Sequence, residues 1–490
     1  MIGVKTLMPS STHSAGMDTT APTVFTPELL RRLDTNGPRY TSYPTADRFH
    51  ERFGELQYRQ ALAARAELAR HRAAPPLALY LHIPFCESVC YYCACNKVIT
   101  KHHDRATEYL DMLEREIEMH AQALGTRQRV TQLHFGGGTP TFLSDAELAR
   151  LWDAITRAFD VAPGAECSIE VDPRTATPER LAHLAALGFN RLSFGVQDFD
   201  PEVQKAVHRV QPAEQVEALM AAARAIGKFD SINVDLIYGL PRQTSERFAR
   251  TVERVVALAP DRIALYGYAH LPERFKPQRR IDEAELPDGA ARLAMLGHAI
   301  AAFGAGGYDY IGMDHFAKHH DPLAVAKREG KLHRNFQGYT TQPECDLLGL
   351  GVSAIGRVGA THAQNAKTLD AYYAAMRDGR FATVRGLALD ADDLLRRAIV
   401  MGLMCRGRLD FAEIRAEFGV DVPAHFGAEL QRLDALAEDG LVRIDADGVD
   451  VTEAGWYVVR AVAMVFDRYL RQPPSRGDDG AQPVRFSRVL

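Results

Sequence analysis

The chain is 490 residues long, 46% hydrophobic and 25% charged. That is the composition of a soluble globular protein, at a length that calls for one large domain and smaller companions rather than one core. A net charge of −5 excludes a global basic field for nucleic acid or anionic lipid, and no apolar run approaches the ~20 residues needed to span a bilayer.

Ser, Thr and Gly dominate residues 9–20, and the N-terminus has a lysine but no apolar stretch of the signal-peptide kind, so residues 1–23 are read as a disordered lead. Residues 24–76 read as an N-terminal arm and helix. From 77 to 312, strand-like runs at 77–83, 130–135, 167–171, 191–196, 232–237, 262–268 and 308–312 alternate with helix-like stretches. The first of those helices carries Leu110, Leu113, Ile117, Ala121 and Leu124 at helical spacing. The next opens on Ser144-x-x-Glu147, a capping box, and the following one on Thr177-Pro178, ending at Gly188. Repeated βα units predict an α/β fold with a parallel sheet, curled or open, and ligands at the C-terminal ends of the strands. Residues 77–386 are assigned to this catalytic unit and its substrate-side segment.

From 387 to 490 the pattern changes to helices with short links, at 392–404, 411–418 and 425–438, then a hairpin at 441–444 and 449–452. Three helices and a hairpin match a winged helix. However, the helix that would read DNA carries Glu429, Arg432, Asp434 and Glu438, the wrong balance for phosphate contacts. The domain is read instead as a lid or substrate clamp, with no nucleic-acid partner.

Four of the seven cysteines fall in one loop, Cys86-Glu-Ser-Val-Cys90-Tyr-Tyr-Cys93-Ala-Cys95, directly after the first strand. A structural zinc site could use these sulfurs, but a zinc ribbon brings a second knuckle a dozen or more residues away, and none follows. Disulfides rank lower, because the cysteines are few and clustered and no secretory signal precedes them. The C-x3-C-x2-C spacing lets three thiolates wrap one cubane iron–sulfur cluster and leaves its fourth iron without a cysteine. Cys95 is left as either a fourth ligand or a spare thiol. Exposed thiolates and an oxygen-labile cluster suit a reducing cytoplasm.

The loop resembles the radical SAM signature, in which three such cysteines hold a [4Fe–4S] cluster and S-adenosylmethionine (SAM) chelates the open iron. Leu79-Tyr80-Leu81-His82-Ile83-Pro84-Phe85-Cys86 and Cys95-Asn96-Lys97 narrow this to a resemblance to the oxygen-independent coproporphyrinogen III oxidases. So do His134-Phe135-Gly136-Gly137-Gly138-Thr139-Pro140, Ile169-Glu170-Val171-Asp172-Pro173, Ser193-Phe194-Gly195-Val196-Gln197-Asp198-Phe199 and Asp235-Leu236-Ile237-Tyr238-Gly239-Leu240-Pro241. Gly312-Met313-Asp314-His315-Phe316-Ala317, the segment His333 to Thr341, and the terminal Phe486-Ser487-Arg488-Val489-Leu490 agree.

The resemblance implies a partial (β/α)6 barrel with an additional strand, plus a mainly helical C-terminal domain. It implies conversion of coproporphyrinogen III to protoporphyrinogen IX in haem biosynthesis, with flavodoxin or a ferredoxin-like protein as reductant. SAM would be cleaved to methionine and a 5′-deoxyadenosyl radical, which takes hydrogen from a propionate β-carbon. Loss of CO2 and one electron then leaves a vinyl group, and the event occurs twice. A monomer is expected.

Residue by residue, the resemblance makes Cys86, Cys90 and Cys93 the cluster ligands and Cys95 a noncoordinating residue that activity requires. Tyr80, Gly137, Glu170 and Ile355 match positions around a first, cluster-bound SAM, so that Tyr80 and Cys95 stand nearest the chemistry. Tyr92 (phenylalanine in some relatives), Gly138, Thr139, Gln197, Arg209, Asp235 and Ala269 match positions around a second SAM. For the four carboxylates of the substrate, Arg39, Arg279, Arg280 and Arg334 are candidates because guanidinium pairs bidentately with carboxylate. Tyr40-Thr41-Ser42-Tyr43-Pro44 resembles an N-terminal segment that reaches toward the active site.

The nearest rival is a haem-binding chaperone that shares barrel and cluster but lacks the extra cysteine. Cys95 and the segment Asn335-Phe336-Gln337-Gly338-Tyr339 argue for the enzyme. An iron–sulfur DNA-binding regulator ranks lower, on the acidic helix.

Overall fold

Period-two burial turns the apolar runs into a sheet with one greasy and one polar face. The computed structural model describes residues 36–71, 74–342 and 345–471, with Leu29, Arg32 and Leu33. The lead expected at 1–23 and the terminal motif at 486–490 lie outside the described residues. The strands are β1 (Leu77–Ile83), β2 (Arg129–Gly137), β3 (Asp160–Val171), β4 (Arg191–Gln197), β5 (Ser231–Tyr238) and β6 (Arg262–Gly267). They continue with β7 (Tyr308–Gly312), β8 (His315–Lys318), β9 (Asp346–Leu350), β10 (Ile355–Val358), β11 (Thr361–Asn365) and β12 (Thr383–Ala388). Among the described residues these form one sheet in the order β12-β11-β10-β9-β1-β2-β3-β4-β5-β6-β8-β7.

Strands β1 to β6 are parallel neighbours in chain order, and β9 joins the free edge of β1 in parallel. These are the six βα strands and the additional strand expected of the partial barrel. The sheet is open, with β12 and β7 at its ends. The seventh run, 308–312, departs from the parallel expectation. Only Met313 and Asp314 separate it from β8, far fewer than the dozen or so residues a parallel crossover needs. A hairpin forms instead, with β8 antiparallel to both β7 and β6. Strands β9 to β12 were not anticipated as strands, and β12 runs across the expected domain boundary at 386/387.

The helices behave as their termini foretell. Ser144 accepts from the Glu147 N–H while Glu147 accepts from the Ser144 N–H, and Thr177 caps a helix that ends on Gly188 at φ 112°. Helix Arg105–Leu124 buries Leu110, Leu113, Ile117 and Leu124 as expected, but Tyr109, Glu116 and His120 share that face in addition. Leu133, Phe135, Ile169, Phe194, Val234 and Phe248 lie in the layer between sheet and helices. Each such side chain contributes about 1.5–3 kcal/mol by leaving water.

The C-terminal part holds helices Ala391–Arg406, Phe411–Phe418, Val422–His425 and Gly427–Glu438, so the run expected at 425–438 begins on a separate short helix. Its hairpin, Val442–Ile444 with Gly448–Val451, is joined by a third strand, Arg408–Asp410. Glu429 is buried against Arg396 at 3.2 Å, so it does not face outward from its helix. This part packs on the β7–β8 edge through a core shared with Ile311, Ala317 and Tyr339. Trp456 donates to the Ile311 carbonyl at 2.8 Å, and Tyr339 to the Met404 carbonyl at 2.9 Å. The N-terminal arm is wedged between the two, with Tyr40 and Tyr43 fully buried and the Tyr40 hydroxyl on Asp467 at 2.9 Å.

Candidate active site

The polar face of the parallel strands is built by alternation. Leu79, Leu133, Ile169, Phe194 and Val234 point to the helices, while Tyr80, His134, Ser168, Glu170, Ser193, Gln197, Asn233 and Asp235 take the opposite face. Register aligns them in rows: Tyr80 beside His134 beside Ser168, and Glu170 beside Ser193 beside Asn233. Asp235 pairs with Gly195 within β5, inside the run expected as a strand.

Glu170 anchors one half of this face. Its Oε2 accepts the Gly137 N–H at 3.1 Å, and its Oε1 lies 3.4 Å from His134 Nε2. The protein walls work against its charge, but the His134 contact and the Gly137 amide outweigh them and hold the carboxyl below its ordinary range. Tyr80 stacks on His134 at 5.9 Å and hydrogen-bonds His82 Nδ1 at 3.1 Å, and His82 Nε2 meets the Asn96 carbonyl at 2.9 Å. Ile355 joins this group through the backbone. Gly349, the register partner of Tyr80, has no room for a Cβ because one would sit 2.5 Å from Ile355.

The glycine run shows why side chains are excluded there. At Gly138 a Cβ would meet the Pro84 carbonyl oxygen at 2.6 Å, and at Gly137, with φ 115°, the His82 ring at 2.6 Å. The Gly138 and Thr139 amides donate to the Ile83 and Phe85 carbonyls at 2.8 and 2.9 Å, fastening β2 to the start of the cysteine loop.

In that loop Cys90 is buried, Cys86 and Cys93 are partly exposed and Cys95 is exposed. Thr139 Oγ1 donates to Cys86 Sγ at 3.3 Å, yet burial pushes the Cys86 thiol up to about 11. Arg209 Nη1 and Arg174 Nη2 reach Cys90 Sγ at 3.5 and 3.7 Å. Cys93 and Cys95 share a hydrogen bond, which lowers Cys93, helped by Lys97, and raises Cys95, helped by burial. Among the described residues no three His, Cys, Asp or Glu side chains converge on a point that one metal ion would fill. A cubane cluster asks for a different arrangement, because each of its ligands meets a different iron. Three thiols in one loop, two of them receiving hydrogen bonds at sulfur, fit such a group in donor chemistry.

Across the face from Glu170, Gly195 leaves room for Arg209 and Gln197. A Cβ there would lie 2.9 Å from Arg209 Nη2 and 3.0 Å from Gln197 Nε2. Arg209 Nη2 donates to the Gly195 carbonyl at 2.6 Å, and its buried Nε has no partner among the described residues. Asp235 accepts from Ser193 at 3.1 Å and Asn233 at 2.9 Å; burial, aided by the Glu170 charge, still raises it to about 6. Tyr92 and Ala269 are tied together by Gln278 Nε2, which donates to both carbonyls, at 3.0 and 3.2 Å. The residues expected around two nucleotides thus form two adjacent groups, with Gly138 and Thr139 next to the cysteines.

The four candidate arginines divide. Arg279 and Arg280 are exposed, Arg280 lying over the Tyr91 ring at 5.3 Å. Arg39 pairs with Asp314 and covers Tyr266 at 5.6 Å, while buried Arg334 covers Tyr339 at 4.5 Å and donates to the Tyr40 carbonyl at 3.3 Å. Arg460, from the C-terminal part, joins them. Burial, then the neighbouring Arg39 and Arg334 charges, lower it to about 9, which leaves it protonated at neutral pH. Arg334 Nη1 is buried without a partner among the described residues. Sequence reasoning missed Arg460, Arg174, Ser193 and Asn233 as site residues. The i, i+2 polar spacing in β4 and β5 would have found the last two; nothing local marks the arginines.

The profile described as the radical SAM superfamily matches residues 80–255, and that described as the HemN C-terminal domain matches 389–458. The oxygen-independent coproporphyrinogen III oxidase of Pseudomonas aeruginosa is 49% identical over 94% of this chain and 98% of its own length. That of Escherichia coli is 48% identical over the same shares. The solved structure of coproporphyrinogen III oxidase (HemN) from Escherichia coli, described as a radical SAM enzyme, superposes with a TM-score of 0.84 at 48% identity, covering 88% of this chain and 97% of that one. Identity of this extent, over both the strand-borne polar face and the C-terminal part, shows that the chain belongs to the oxygen-independent coproporphyrinogen III oxidases of the radical SAM superfamily.

Proposed function

We propose that this chain converts two propionate side chains of coproporphyrinogen III to vinyl groups without oxygen, giving protoporphyrinogen IX. The observation that carries the reading is the cysteine loop fastened to the Gly137–Glu170 corner of the polar face, in a chain 49% identical to a relative named for this activity. Cys86, Cys90 and Cys93 would hold the [4Fe–4S] cluster, with Cys95 beside it and uncoordinated. When bound, the cluster and SAM supply hydrogen abstraction at an unactivated carbon.

The protein's own part is to hold and orient. Ionised Glu170 offers an acceptor to the ammonium of the first SAM, beside the Gly137 backbone, Tyr80 and Ile355. For a second SAM, Arg209 offers a guanidinium to a carboxylate and Asp235 an acceptor to hydroxyl or amino donors. Tyr92 gives a flat apolar ring, and Gln197, Gly138, Thr139 and Ala269 complete that wall. Substrate carboxylates fall to Arg39, Arg334 and Arg460, of which Arg39 pairs with Asp314. Burial among Tyr266, Tyr310 and Tyr339 strengthens those contacts by excluding water. We further propose a flavodoxin or ferredoxin-like reductant, a cytoplasmic setting and a monomer. No helix among the described residues is long and apolar enough to cross a membrane.

Anaerobic incubation of the reconstituted protein with coproporphyrinogen III, SAM and reductant tests the reading. Loss of two CO2 per tetrapyrrole supports it. Haem transfer without decarboxylation would overturn it in favour of a chaperone.

A further inference from the structure

Cys90 is the cysteine of the loop that meets two guanidinium groups, from Arg174 at 3.7 Å and Arg209 at 3.5 Å. Both arginines share one carboxylate. Asp172 accepts from Arg174 Nε at 3.0 Å and Nη2 at 2.7 Å, and from Arg209 Nη1 at 3.3 Å. Asp172 is also the N-cap of the short turn Pro173–Thr175, accepting the Arg174 N–H at 3.0 Å, so its carboxylate is fixed from below. Burial opposes its charge, but the two arginines hold its pKa below the ordinary range. Two cations and one anion leave one net positive charge against the Cys90 sulfur, in a setting where Asp172 and Arg209 are 8% and 7% exposed.

We infer that Arg174, positioned by Asp172, sets the reduction potential of the cluster bound through Cys90. This rests on Cys90 being a cluster ligand. Hydrogen bonds to ligating sulfur and nearby net charge are the levers by which proteins tune such clusters. The reduced cluster carries one more negative charge than the oxidised one, so a facing cation stabilises the reduced form and raises the potential. Arg174→Gln removes the surplus charge and lowers the potential. Asp172→Asn keeps the capping oxygen but leaves two uncompensated cations, and raises it. A residue with a purely structural role would not give shifts of opposite sign.

The test is a mediated redox titration, read by electron paramagnetic resonance of the reduced cluster, on the full-length reconstituted chain without SAM. At a fixed potential the ratio of reduced to oxidised cluster should fall about tenfold in Arg174→Gln and rise about tenfold in Asp172→Asn. For one electron that is about 59 mV in each direction. Unchanged potentials at full iron content, or shifts of the same sign, would overturn the inference. Should Arg174→Gln fail to hold iron, Asp172→Asn decides alone: an upward shift supports the inference, and no shift or a downward one rejects it. Full iron in Cys90→Ala would instead reject the ligand assignment, and so separates the two failures.

Discussion

Gly137 donates its backbone N–H to Glu170 Oε2 across 3.1 Å, joining the last residue of β2 to the inner face of β3. The bond exists because Gly137 adopts φ 115° and has no Cβ to strike His82. Glu170→Gln keeps the shape but not the charge, and should weaken SAM binding about tenfold or more, the range of a charge-assisted hydrogen bond, while iron content stays full. Gly137→Ala should cost about 1–3 kcal/mol of stability from backbone strain alone, read in denaturant melts. Unaltered SAM affinity in Glu170→Gln would remove Glu170 from the first SAM site.

The second SAM is testable separately. Gln197→Ala or Asp235→Ala should leave the cluster intact and one SAM bound, and prevent full conversion. Equilibrium binding on the reconstituted variants gives the stoichiometry. Retention of two SAM molecules, or loss of both together with thermal stability, would mean that Gln197, Arg209 and Asp235 only stiffen the sheet.

Arg334 and Arg460 should act on substrate alone. Replacing either by Met removes a charge-assisted contact of about 1.5–3 kcal/mol, so KM for coproporphyrinogen III should rise about ten- to hundredfold with SAM binding unchanged. Equal KM values for wild type and both variants would assign the trio to docking of the C-terminal part.

Much of this was legible in the chain, and the limits have physical causes. Strands β1 to β6 announce themselves as apolar runs at βα spacing, and the caps at Ser144 and Thr177 use local hydrogen bonds that a sequence displays directly. The β7–β8 hairpin was hidden because the pattern at 308–312 states burial, not direction. Strands β9 to β12 are short and pair with one another antiparallel, outside the repeated unit that guided the reading. The cysteines were readable because one loop supplies them all. Arg174 and Arg460 were not, since their meaning arises only when distant segments bring Cys90, or Arg39 and Arg334, beside them.

Glu116 gives the fold a measurable pH dependence. It is 1% exposed and accepts from the Gly351 N–H at 2.6 Å, Tyr372 at 2.7 Å and Asn365 at 2.7 Å. Burial outweighs these donors and raises its pKa from 4.5 to about 7. Between those values the folded chain keeps a proton that the unfolded chain has released. This carboxyl therefore stabilises fully below about pH 4.5, and its contribution falls by about 3 kcal/mol as pH rises to about 7. The stability difference between wild type and Glu116→Gln, followed by denaturant melts across that window, should shrink accordingly. A constant difference would contradict the raised pKa.

The proposed ligand set is Cys86, Cys90 and Cys93, with Cys95 uncoordinated. Iron and sulfide analysis of anaerobically reconstituted Cys86→Ala, Cys90→Ala, Cys93→Ala and Cys95→Ala tests it most directly. The first three should lose the cluster. Cys95→Ala should retain full iron, sulfide and cluster absorbance while forming no protoporphyrin. Loss of iron and sulfide from Cys95→Ala, or full cluster content in any of the other three, would contradict it.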